Sequence, residues 1–186
     1  MWVVLAIIVA PIVWAILTYN RLVALKNQVA NGWRQIDVQL KRRHDLIPNL
    51  VAAVRGYMEH ERTTLERVIA ARNQAAGATT VAERNAAEAD LSRTLRQLFA
   101  VAENYPQLRA SENVQQLQEE LTTTENQLGF ARQFYNDVVM RFNTQQDVFP
   151  ANLIAGNFGF QHAELFSADD GDRAVPPVDL SLTSAR

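Results

Sequence analysis

The apolar residues of this chain follow two patterns. From Trp2 to Leu17 every side chain is apolar, and the first charged one is Arg21. A run of about 16–18 residues at 1.5 Å each spans roughly 25 Å, enough for a short membrane-crossing helix. Beyond it, apolar positions recur at three- and four-residue steps, the period of amphipathic helices. Leu22, Leu25, Val29, Trp33, Ile36, Leu40, Ile47, Leu50, Val54 and Leu65 keep one phase, which predicts one long helix or two collinear ones over 22–76. The phase holds across Pro48, so a kink is expected there, and Gly77 ends the segment. A second helix is predicted over 80–105. Thr80 and Glu83 match a capping box at its start, and Pro106 stops it.

The third predicted helix has the clearest pattern. From an N-cap at Ser111, Val114, Leu117, Leu121, Thr124, Leu128, Ala131, Tyr135, Val138 and Phe142 alternate three- and four-residue steps. That is the seam of a left-handed bundle or coiled coil. Phe149-Pro150 ends it, and Ala151–Phe160 is a short apolar segment broken by Gly156 and Gly159. After Phe166 the composition turns to Ser, Asp, Gly and Pro, which predicts a poorly ordered tail. The fold class is therefore all-α: a single membrane-spanning helix in residues 1–20, an antiparallel bundle of long helices in 21–160, and a partly disordered C-terminal segment in 161–186.

A cleavable secretory signal would carry a cationic stretch before the apolar run and a small-x-small site after it; neither is found here. A buried core helix rarely needs so long an uncharged run, so an uncleaved anchor contacting lipid through residues 2–19 is the expectation. Membrane helices tolerate a bend such as Pro11 introduces. Trp2 and Tyr19 stand at opposite ends, where amphipathic rings favour the two interfaces, whereas Trp14 does not fit that belt. The cations Arg21, Lys26, Arg34, Lys41, Arg42 and Arg43 all follow the run. The positive-inside rule then places the N-terminus outside and the rest of the chain on the cytoplasmic side of the membrane. The absence of cysteine fits a reducing compartment without requiring one.

Charge and motifs remove several classes of function. The net charge is −2 and the two signs are interspersed, so there is no footprint for nucleic acid. There is no Cys, no Gly-x-Ser-x-Gly and no phosphate-binding loop. A di-iron carboxylate bundle needs Glu-x-x-His on two helices. The residues three before His44, His60 and His162 are Lys41, Tyr57 and Gly159, so that motif is missing. Glu59-His60-Glu61 reads as a solvated face, because adjacent helical residues point apart. The basic cluster Lys41–His44 lies roughly 30 Å beyond the anchor on a projecting helix, past the reach of lipid charge. Pairing of Arg42 or Arg43 with Asp37, with Asp45 or with a neighbouring helix is the expectation. No catalytic, cofactor or metal residue is assigned.

The stretch Arg42-Arg43-His44-Asp45-Leu46-Ile47-Pro48-Asn49-Leu50-Val51 closely resembles the signature of the LemA family of bacterial membrane-anchored helical proteins. Trp33 with Ile36–Leu40, Ala102–Pro106, Leu117–Leu121, Tyr135-Asn136-Asp137 and Phe149–Ala155 agree with it and occur in the right order. The resemblance implies a single-span anchor and a cytoplasmic antiparallel bundle of long helices. It brings no established activity or cofactor, and it makes Arg43, Asp45, Pro48 and Asn49 signature residues of structural character. Asp45 and Asn49 are expected to satisfy the backbone groups that Pro48 leaves without a partner.

Three functions compete. A non-enzymatic scaffold or adaptor that self-assembles or docks a partner leads, and the family's genomic association with membrane metalloproteases makes such a protease one candidate. A lipid-binding or membrane-remodelling module would use Phe149–Phe166. An enzyme would need a site assembled from scattered residues such as Arg43, Asp45, Asn49 and Glu103. Tyr135, Phe142, Phe158 and Phe160 are the expected contacts of a homo-oligomer or partner, since three or four helices do not obviously bury both the seam and the terminal aromatic segment.

Overall fold

Helix α1 (Trp2–Arg55) runs without interruption from the apolar run into the periodic segment, through both Pro11 and Pro48. The structure is a computed structural model describing residues 2–166; the tail expected to be poorly ordered lies outside the described residues. Among the described residues, α1 is the one helix long and apolar enough to cross a membrane. The rest of the chain buries 11% of its apolar window, so this part is no core helix. After Arg55 the chain turns through Gly56 and Tyr57, with Met58 fully buried, and a short 3-10 turn over Glu59–Glu61 leads into α2 (Arg62–Gly77). Here the structure corrects the collinear expectation. Arg72 meets His44, so α2 doubles back antiparallel to α1 instead of extending it. The apolar phase survives this reversal because both helices face the same core, and a period alone carries no direction.

The predicted capping box opens α3 (Val81–Ala102). Thr80 Oγ1 accepts from the Glu83 N–H at 3.1 Å, and the Glu83 carboxylate accepts from the Thr80 N–H at 3.2 Å. Donation to the Glu83 carboxylate from the Thr80 N–H, and next from the Thr79 N–H, holds its pKa below the ordinary range. α3 ends three residues before the predicted Tyr105, and Pro106 begins a single turn, α4 (Pro106–Arg109), a position where its missing N–H costs nothing. α5 (Glu112–Asp147) follows. Ser111 occupies its N-cap position without a side-chain capping bond. Of the predicted seam, Val114, Leu121, Thr124, Leu128, Ala131, Tyr135, Val138 and Phe142 are buried and Leu117 is half-buried. The buried hydroxyl of Thr124 is satisfied by the Glu120 carbonyl at 2.7 Å.

The bundle has a four-helix head on a two-helix stalk. In the head, Ile47, Leu50 and Val54 of α1 pack with Leu65 and Val68 of α2, Leu91 and Leu98 of α3, and Leu121 of α5. In the stalk α1 and α5 run antiparallel. They approach so closely that a Cβ on Gly32 would lie 3.3 Å from the Tyr135 backbone. Ile36, Leu40, Leu128 and Val139 fill this contact. A short helix, α6 (Ala151–Asn157), closes the base, with Ala155 against Leu22.

Residues 161–166 then climb the stalk in extended form. The Asn143 amide exchanges two hydrogen bonds with the Ala163 backbone, both 2.9 Å, and Asn136 exchanges two with the Phe166 backbone, both 2.8 Å. Between them the Tyr135 hydroxyl donates to the Glu164 carbonyl at 2.8 Å. Phe166 is thereby buried beside Trp33 and Tyr135. This corrects the expectation that the terminal aromatics outrun the core of one chain. Tyr135 and Phe142 are 4% and 3% exposed and lie inside the chain, not on a contact surface. Phe160 is half-buried against Phe142 and Tyr19. Of the four expected contacts, Phe158 alone is exposed, its ring 4.8 Å from that of Tyr19.

Leu128 is fully buried on the seam, so Leu128→Ala is expected to cost about 2–5 kcal/mol in urea unfolding of a fragment beginning at Arg21. The neighbouring Phe130→Ala, at a site 72% exposed, is expected to be nearly silent. The reverse order would mean that α5 faces the other way. Burial first, and the Glu164 carboxylate second, hold the Tyr135 phenol above its ordinary pKa of 10.0. Its contribution is therefore complete below pH 10 and lost as the pH rises beyond it. Tyr135→Phe is expected to lower stability by about 0.5–1.5 kcal/mol at neutral pH and to flatten the alkaline limb of the stability profile.

Candidate functional site

Charged residues occupy apolar slots where the helices of the head meet. Arg43 and His44 follow Leu40 by three and four residues on α1, and Glu88 precedes Leu91 by three on α3. Each therefore points into the core, and Glu88 is only 1% exposed. A buried carboxylate must be paired and hydrogen-bonded or it neutralises. Both of its oxygens are used. Oε2 accepts from Arg43 Nη1 at 3.2 Å, and Oε1 lies 2.7 Å from His44 Nε2. With Glu88 ionised, that ring nitrogen carries the hydrogen. Arg43 also meets Glu125 of α5 at 3.1 Å and donates from Nη2 to Ser92 Oγ at 2.8 Å. One guanidinium thus ties together three helices. The expectation that this cluster pairs with a neighbouring helix holds for Arg43; Asp37 pairs instead with Arg84.

One helical turn on, Pro48 has no N–H for the His44 carbonyl. Arg72 fills the gap from α2, its Nε donating to that carbonyl at 3.0 Å. Asp45 and Asn49, expected to do this, are exposed and make no side-chain hydrogen bond among the described residues. The reason is angular. The carbonyl of His44 opens toward α2, whereas Asp45 and Asn49 lie on one solvent-facing strip of α1. Pro48 is exposed on the same side.

The scattered enzymatic set is not brought together. Arg43 and Asp45 are two residues apart and point to opposite sides of α1. Glu103 caps the C-terminal end of α3, fifteen residues beyond Glu88, which is about 22 Å along the helix. Glu59 and His60 are exposed. His44, Arg72, Glu88, Ser92 and Glu125 were missed as a group. The available signal was a charge at a core slot, as at Arg43, His44 and Glu88; Arg72 and Ser92 carried none.

A second feature lies on the flank of the stalk. Val38 of α1 with Phe130 and Phe134 of α5 line an open groove between the two helices, at 64%, 72% and 44% exposure. Gln39 also lines it, and its side-chain oxygen is buried without a hydrogen-bond partner among the described residues.

The fold and the cluster define a helical bundle built on one long N-terminal helix, with a polar clasp at its centre. A LemA family model matches residues 32–180, and the chain belongs to the LemA family. It is 23% identical over 171 residues to Protein LemA of Metamycoplasma hominis, an alignment covering 90% of this chain and 75% of that protein.

Arg43→Ala leaves Glu88 buried without its guanidinium and is expected to cost about 3–5 kcal/mol in urea unfolding. Arg43→Met combined with Glu88→Leu is expected to recover most of that loss. Arg72→Met is expected to cost about 1–3 kcal/mol where Pro48 is present. In a Pro48→Ala background the carbonyl regains its helical donor, and the cost should shrink by more than about 0.5 kcal/mol. Additivity of the two changes would break the link between proline and arginine.

Proposed function

We propose that this protein is a non-enzymatic scaffold, anchored in the bacterial inner membrane by the first part of α1, with its bundle in the cytoplasm and further copies of the same chain as its first partner. The observation that carries the reading is the groove lined by Val38, Phe130 and Phe134. Large apolar side chains exposed together mark an interaction surface, and the Gln39 side-chain oxygen beside them has no hydrogen-bond partner among the described residues. Anchoring sets every copy upright in one plane and raises the effective concentration, so that flanks at equal height meet. The buried charges of the head are engaged in joining helices: Glu88 has both oxygens bonded, and Arg43 meets three partners. The cations after the apolar run support the cytoplasmic side for the bundle.

The chain has no cysteine, so introduced thiols test both parts of the reading. A thiol from Ala78→Cys is expected to resist membrane-impermeant maleimide in intact cells and to react after lysis; labelling in intact cells would place the bundle outside. In membranes, a short bifunctional thiol reagent is expected to link copies carrying Phe134→Cys into dimers, the largest species one thiol per copy allows, and to leave copies carrying Arg93→Cys on α3 as monomers. A single-copy mass in light scattering across a wide concentration range would overturn self-assembly.

A further inference from the structure

The other exposed apolar cluster lies at the base of the stalk. Val148 and Phe149 follow α5, Leu153 stands on α6 and Phe158 follows it, and they are 51%, 75%, 56% and 63% exposed. From Val148 to Gln161 the chain carries no charged side chain, its longest such stretch outside the apolar run. The height of this cluster along α1 is fixed by the antiparallel contact of Gly32 with Tyr135. Thirteen residues on from Tyr135 is Val148, and thirteen back from Gly32 is Tyr19. Side chains agree: Val148 and Arg21 line one groove, and the Phe158 ring lies 4.8 Å from that of Tyr19. Tyr19 stands two residues past Leu17, near the end of the expected anchor over residues 1–20. Thr18 is buried and Ala15 half-buried, whereas the other described side chains of the run are exposed. The base of the bundle therefore covers the last turn of the very segment that would enter the bilayer.

We propose that this base is a second lipid contact: Val148, Phe149, Leu153 and Phe158 sit in the membrane interface beside the emerging anchor and hold the stalk to the bilayer. The inference rests on the anchored reading of α1 and goes beyond it, because a helix can span the membrane with its bundle standing clear. An apolar, uncharged surface at the level of an anchor's exit faces the boundary between headgroups and acyl chains, the depth where interfacial segments bury their apolar side chains. Exposed cations stand at and above this level: Arg21 on α1, then Lys26 on α1 and Arg141 on α5 about 10 Å farther up the stalk. They would meet lipid phosphates. The exposed acid nearest the base, Asp147, lies 3.0 Å from His162. Tyr19 adds an amphipathic ring of the kind that favours this depth.

The test uses full-length protein in bilayers of phosphatidylcholine and phosphatidylglycerol carrying a nitroxide at acyl carbon 5. Three single-cysteine variants, Trp14→Cys, Phe149→Cys and Phe130→Cys, each carry an environment-sensitive fluorophore. Position 14 reports the anchor. Position 130 is exposed on the flank, nineteen residues before Phe149 and thus about 28 Å up the stalk. We expect nitroxide quenching at 149 to approach that at 14 and to exceed that at 130 at least threefold. Quenching at 149 as weak as at 130, with position 14 strongly quenched, overturns the seat and leaves anchoring intact. A blue-shifted but unquenched fluorophore at 149 likewise overturns it and identifies a protein cover. Absence of quenching at 14 overturns the anchor and the seat together.

Discussion

The Glu88 carboxylate is the constraint on which the head depends. Almost wholly removed from water, it has to be met by donors within reach of both oxygens. α3 packs mainly against α2, and its link to α1 is made by long side chains rather than close backbones. Only one axial position of α3 brings Glu88 to Arg43 and His44 while Ser92, one turn on, meets the same guanidinium. A bundle of interchangeable Leu and Ala residues has several nearly equal registers. A buried ion cluster that is satisfied in one of them selects it, which is the best-attested use of such groups even where they add little net stability.

The same turn of α1 carries the proline, and the two features are joined. Pro48 frees the carbonyl of His44, the residue whose ring binds Glu88, and the donor that fills the gap comes from α2. The proline thereby creates an acceptor in the wall of α1 that ties the returning hairpin arm to it. α1 stays continuous through this point, so the cluster stands on one rod with the apolar run. Arg43 is twenty-six residues beyond Leu17, about 39 Å along that rod. The signature around Arg43 and Pro48 is in this sense architectural: it locks the head onto the helix that carries it.

What could be read in advance divides along physical lines. The seam of α5 and the capping box of α3 were legible residue by residue, because local period and local hydrogen bonding determine them. The reversal after Arg55 was not, since Ile47, Leu50, Val54 and Leu65 keep phase whether α2 continues or returns. Gly56 followed by Met58 was the available hint: a poor helix former, then an apolar residue without a helical neighbour to cover it. The cluster was half legible. Arg43 was expected to pair with a neighbouring helix, but Glu88 and Glu125 are distant in sequence and no spacing links them. Assigning the proline's carbonyl to Asp45 and Asn49 overvalued proximity in sequence, because side chains next to a proline on one helix face need not face its orphaned acceptor.

The terminal segment shows how a polar pattern decides which apolar surface stays outside. Asn136 and Asn143 are seven residues apart, two turns of α5 or about 10.5 Å. Ala163 and Phe166 are three residues apart in extended chain, about 10 Å. The two spacings match, so two asparagine amides take up four backbone hydrogen bonds and act as the neighbouring strand that 161–166 lacks. This latch draws Phe166 and Phe160 inward and consumes Tyr135, which removes them from the exposed surface. What remains outside then separates by height. Val38, Phe130 and Phe134 stand on the flank of the stalk, while Phe149, Leu153 and Phe158 stand at the level where the apolar run of α1 ends. Two surfaces so placed do not compete for the same partner. A lateral contact and a lipid contact can be made at once, and each would restrict the tilt that the other has to tolerate.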